Sequence, residues 1–126
     1  MNAQLRESFR FHLQHGGYSV PPGRAMCALQ MARAEQTARD LNLKVRWEEE
    51  DIEPDFDDER DNAAIRSGKL DWLFAYVPDP TTSERYAVLA SLGGIAVRPN
   101  DPYRRVVEAE LYAEAIGILQ DRLAGV

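Results

Sequence analysis

His12 and His15 stand three residues apart, a spacing that puts both imidazoles on one face of a helix and suits two ligands of a shared metal ion. A further ligand would have to come from Cys27, the single cysteine of the chain, or from a carboxylate. Two imidazoles fall short of the three or four protein ligands that zinc sites use. Cys27 lies early in a predicted helix, where a thiolate is stabilised, but on the apolar stripe of that helix, where a thiol is inert core. Ser19, Ser67, Ser83 and Ser91 sit in no GxSxG arrangement, and Gly16-Gly17 and Gly93-Gly94 lack a phosphate-cradling pattern. These residues therefore assign no catalytic group, metal or cofactor. A small metal-binding module or enzyme built on His12, His15 and Cys27 is the alternative reading.

The stronger chemical signal is charge. The chain carries 15 Lys+Arg against 21 Asp+Glu, a formal net charge of −6, but the acidity is local. Residues 48–61, EEEDIEPDFDDERD, hold ten acids and one base, for −9, whereas residues 1–47 sum to +4 and residues 62–126 to −1. A calcium loop would use Asp51, Glu53, Asp55 and Asp57 at alternate positions. Phe56 then stands where the turn glycine belongs and Asn62 where the bidentate glutamate belongs. A carboxylate pair for hydrolysis is available in any such run, but nothing selects two of them or builds a cleft around them. Two readings remain, a solvated loop and an anionic binding surface. Extended at ~3.3 Å per residue, the run spans about 46 Å, so its net charge averages one per ~5 Å, against one per ~3.4 Å along a single DNA strand. Ile52 and Phe56 inside the run are poor solubilisers and reasonable anchors. The candidate partner-binding residues are Glu48, Glu49, Glu50, Asp51, Ile52, Glu53, Asp55, Phe56, Asp57, Asp58, Glu59 and Asp61.

The elements that must position this run follow from periodicity. Leu5, Phe9 and Leu13 predict a short first helix stopped by Gly16-Gly17, and residues 18–23, YSVPPG, predict a turn. Across residues 24–41, Cys27, Met31, Ala34, Ala38 and Leu41 form one stripe of mostly small residues, which predicts a helix with a closely packed neighbour and a stop at Asn42. Leu43, Val45 and Trp47 alternate with charged residues as in a strand with one buried face. After the acidic run, read as loop with a short helix opening near Asp57, residues 61–67 are helical in pattern and Gly68 ends them. Residues 70–77 are apolar on both faces, as in a central strand, and pair through the turn-rich residues 78–83 with a strand over 86–92. Gly93-Gly94 is read as a turn before a short extension at 95–97. Both tryptophans, Trp47 and Trp72, are expected to be mostly buried. Asp101 as cap and Pro102 at the first position then open a helix over 102–123, with a stripe of Tyr103, Val107, Leu111, Ala115, Ile118, Leu119 and Leu123. The fold class is α+β: a small antiparallel sheet of about three strands packed by two to three helices, the last one long.

At 126 residues, 44% apolar and 29% charged, the chain has the size of a single domain able to bury roughly two-thirds of its surface without disulfide or metal. No run approaches the ~18 apolar residues of a membrane span, and the first residues lack the order of a signal peptide, so a cytoplasmic location is expected. Residues 15–35, HGGYSVPPGRAMCALQMARAE, the following VRWEEEDIEPD, and residues 88–111, VLASLGGIAVRPNDPYRRVVEAEL, resemble small accessory proteins of bacteriophages and bacterial mobile elements. That resemblance implies a bacterial host cell as the setting and inhibition of host defence, of the anti-CRISPR kind, as the activity. The partner so implied is a basic, nucleic-acid-handling host protein such as a CRISPR–Cas effector, blocked by an acidic DNA mimic. A phage structural or accessory protein without inhibitory role is a further alternative. Direct binding of nucleic acid is opposed by the −9 run, which repels phosphate.

Overall fold

The computed structural model describes residues 26–125. The predicted first helix and the 18–23 turn lie outside them, as do His12 and His15. Among the described residues, three helices and three strands form a small α+β fold, in the order α1 (Ala28–Asp40), β1 (Arg46–Glu49), α2 (Glu59–Arg66), β2 (Asp71–Pro78), β3 (Val88–Val97) and α3 (Tyr103–Leu123).

Helix α1 begins later than the apolar stripe suggests. Cys27 is its N-cap, extended at φ −77° and ψ 165°, and its N–H donates to Gln30 Oε1 at 3.0 Å. The thiol is exposed, which corrects the expectation of an inward cysteine: a residue outside the helix does not follow the helical stripe. Ala34, Ala38 and Leu41 are buried as expected. Asn42, at φ 58°, closes the helix by donating to Arg39 O at 3.1 Å while Leu43 N–H reaches Ala38 O at 2.8 Å, the paired bonds of a Schellman motif. Leu43 and Val45 are buried in a connecting segment, and β1 starts only at Arg46. The alternation was correct in facing, but the pairing is shorter than the pattern.

The sheet is antiparallel in the order β1-β2-β3, so β2 is central, as its doubly apolar sequence requires. Alternate residues of β2 divide cleanly. Ala75 and Val77 are buried towards the helices, and Trp72, Phe74 and Tyr76 lie half-buried on the opposite face. Helix α3 packs on β2 and β3, and α1 packs on α3, tied by the Arg105–Glu35 ion pair at 2.7 Å. The core joins Val77, Ile95, Val97, Val107, Leu111 and Leu119 with the small residues of α1.

Three further corrections concern this frame. Gly93-Gly94 is not a turn but a bulge inside one continuous strand: Leu73 pairs with Ile95 and Ala75 with Leu92, so β3 has one residue more than β2 between these pairs. Gly94 adopts φ +67°, open to glycine at little cost. Tyr86 precedes β3 and is 85% exposed. Tyr103 is half-exposed in the first turn of α3, and full burial along that helix begins only at Val107. Both tryptophans are more buried than exposed, as expected, and Trp47 packs against the core. Trp47 lies in a short strand at the margin of the sheet, beneath the Arg104 guanidinium at 5.2 Å and donating to Glu108 at 3.1 Å, and Trp72 is on the face opposite α3. Helix α3 opens one residue after the expected position: Pro102, at helical φ −57°, is its N-cap, and the preceding Asp101 accepts from Tyr103 N–H at 3.0 Å.

Candidate functional site: an acidic segment held over an aromatic groove

Residues 48–61 are not a free loop. Glu48 and Glu49 belong to β1, opposite Phe74 and Leu73, and Glu48 accepts from Tyr76 Oη at 3.3 Å. Glu50 extends the ladder by donating its N–H to Trp72 O at 2.9 Å. Its Oε2 accepts from Gly94 N–H at 3.0 Å, which reaches past β2 to the bulge of β3. A Cβ on Gly93 would lie 3.0 Å from that same oxygen, so an alanine there would displace the Glu50 carboxylate by a few tenths of an ångström.

The turn that follows is held by three side chains. Trp72 Nε1 donates to Ile52 O at 2.6 Å. The Phe56 ring meets Trp72 edge-on, with centroids 5.5 Å apart and planes at 76°. Asn62, buried on α2, accepts from Phe56 N–H at 2.9 Å and donates to Phe56 O at 3.0 Å and to Glu59 Oε2 at 3.1 Å. Asp58 caps α2 by accepting from Arg60 N–H at 2.9 Å. Gly68, at φ +81°, ends α2 as expected.

The electrostatics divide the run in two. The Arg60 guanidinium and N–H hold the Asp58 carboxyl below the usual aspartate range, and Asn62 together with Arg66 does the same for Glu59. The carboxylates of Glu49, Asp51, Glu53, Asp55 and Asp57 are exposed and make no ion pair among the described residues. The longer-range ion pairs lie elsewhere: Arg104 with Asp71, Arg105 with Glu35, and Arg122 with Asp79. Among the described residues no three His, Cys, Asp or Glu side chains converge as metal ligands.

Two adjoining grooves border the segment. One, of about 320 Å³, is walled by Glu50, Ile52, Glu53, Asp55, Phe56 and Trp72 over the Gly93-Gly94 floor. The other, of about 460 Å³, continues past Phe56 to Leu92, Asp61 and Tyr103. Ile52 is 70% exposed, and Phe56, Leu92 and Tyr103 are each substantially so. Sequence reasoning found the carboxylates, Ile52 and Phe56 but missed Trp72, Asn62, Leu92, Gly93, Gly94 and Tyr103. No local pattern marks Asn62, which follows the run directly and opens the uncharged stretch Asn62-Ala63-Ala64-Ile65. No protein-family model, curated protein or solved structure matches this chain. No helix among the described residues is long and apolar enough to cross a membrane.

Proposed function

We propose that this chain is a non-enzymatic inhibitor that engages a basic, nucleic-acid-handling protein through residues 48–61, its carboxylates standing in for phosphates. The observation that carries the reading is the combination of fixed backbone and unneutralised charge. Glu49, Asp51, Glu53, Asp55 and Asp57 present carboxylates with no internal counter-ion among the described residues, on a segment held by Trp72, Asn62 and Gly94. A loop that served only to keep the protein soluble would need no such fixation. Preorganised like charge costs conformational stability through self-repulsion, which a complementary surface relieves. The resemblance to phage accessory proteins makes a CRISPR–Cas effector in a bacterial cytoplasm the first partner to try.

The test is displacement. Labelled duplex DNA is bound to a purified CRISPR–Cas effector and to unrelated basic DNA-binding proteins, and the chain is titrated in. Wild-type protein is expected to release the DNA from its partner, less effectively as salt rises, because exposed charges beyond ~8 Å are largely screened at physiological ionic strength. Reversing Glu49, Asp51 and Asp57 to lysine shifts the formal charge by +6, from −6 to zero, and spares Asp58, whose side chain caps α2. That variant is expected to lose at least about tenfold in affinity while keeping its fold. Equal displacement by variant and wild type would remove phosphate mimicry.

A further inference from the structure

We propose that the groove between the 50–56 segment and the Gly93-Gly94 bulge receives an arginine-bearing extended peptide segment of the partner, with apolar neighbours of that arginine lying against Leu92 and Tyr103. The inference rests on the acidic surface being the binding face and says how that face discriminates among basic partners.

Charge complementarity and shape point to this occupant together. The smaller groove puts the carboxylates of Glu50, Glu53 and Asp55 around the rings of Phe56 and Trp72. Carboxylates beside aromatic rings suit a guanidinium, which donates parallel hydrogen bonds from its edge while its plane stacks on a ring; an ammonium is more strongly hydrated and gains less. Glu50 is already oriented, because Gly94 N–H holds one of its oxygens, and this removes part of the ordering cost of binding. The wall is also fixed: Trp72 is tied through Nε1 to Ile52 O, and Phe56 through its backbone to Asn62. Glycine at 93 and 94 leaves the floor bare, and a Cβ on Gly94 would lie 3.4 Å from Trp72 Cη2.

The second groove makes the occupant a chain rather than an isolated cation. It shares Phe56, Gly93 and Gly94 with the first and continues over Leu92 and Tyr103, which offer apolar surface where the carboxylate density falls. Both volumes, 320 and 460 Å³, lie within the ~300–1,000 Å³ range of ligand sites, so each has room for a side chain. Nucleic acid and anionic lipid are both repelled by the same carboxylates.

Two synthetic peptides of equal length and charge serve as probes, one alternating arginine with leucine and one alternating arginine with glycine. Binding to the full chain is followed by fluorescence anisotropy, and the fold of each variant is checked by circular dichroism. The wild type is expected to prefer the arginine–leucine peptide by about tenfold. Leu92→Ser, and separately Tyr103→Ala, should shrink that preference while leaving arginine–glycine binding nearly unchanged. Gly93→Ala, which crowds Glu50, should weaken both peptides without a change of charge. If the wild type binds both peptides equally and the lysine-reversed variant binds neither, the groove is overturned and the acidic surface stands. A preference that survives the groove substitutions overturns it too. Failure of both peptides to bind the wild type overturns the acidic surface as well.

Discussion

Asn62 carries more of the candidate site than any carboxylate in it. Its amide satisfies both backbone groups of Phe56 and one oxygen of Glu59, so Asn62→Ala strips three hydrogen bonds from a buried position. Because a buried polar group left without a partner costs ~1–3 kcal/mol, the variant should lose about that much stability in urea titration. Phe56 amide exchange should accelerate by more than the global change explains. Asp79 shows the opposite balance of burial and bonding. Its side chain is only 6% exposed, and burial alone would raise its pKa, yet Thr81 through its N–H and hydroxyl, and Arg122 through its guanidinium, together hold it below the usual aspartate range. A carboxyl depressed in the folded state stabilises fully above the unfolded value of about 3.9 and loses that contribution as pH falls through the lower folded value. Asp79→Asn should thus reduce stability at neutral pH, and the gap between variant and wild type should close below about pH 4 in acid titrations followed by circular dichroism.

The elements divide according to how much of their structure is local. Helix α3 was legible because Val107, Leu111, Ala115 and Leu119 repeat at helical spacing and Asp101-Pro102 marks the start; all four are buried. Leu111→Ala should cost ~2–5 kcal/mol by thermal or urea unfolding, whereas exposed Glu114→Ala should cost little. The central strand and the ends of α1 and α2 were legible for the same reason, since Asn42 and Gly68 announce their own backbone angles. What could not be read was long-range. Whether Gly93-Gly94 turns the chain or bulges within a strand depends on β2 lying opposite with one residue fewer, and no local pattern contains that count. Cys27 misled because a stripe extrapolated by one residue crosses the helix boundary into the cap. The carboxylates of the site were visible as composition, but the groove needs Trp72, Leu92 and Tyr103, which come from three elements distant in sequence. Gly94→Ala should destabilise by upwards of about 1 kcal/mol, because its positive φ disfavours any Cβ, and should free Glu50 at the same time.

At the scale of the whole molecule, apolar and ionic contacts are spent on one side and charge is displayed on another. The ion pairs at Arg105 and Arg122 tie α1 to α3 and the β2–β3 connection to α3, leaving residues 48–57 without a cationic partner among the described residues. The same layout has a consequence for association between copies. Among the described residues β3 has no neighbour on its outer side, and a ten-residue strand with a row of free amide and carbonyl groups would normally template further strands. Here the irregularity at Gly93-Gly94, and a second beside Leu89, where Val77 pairs with Ala90 but Pro78 with Val88, interrupt that row twice. The kink that seats Glu50 therefore also blunts the strand as a nucleus for fibre growth. Deleting Gly94 would straighten the ladder, strip Glu50 of its hydrogen bond and expose a longer unbroken margin, so that loss of the groove and a tendency to polymerise should arise together from one missing residue.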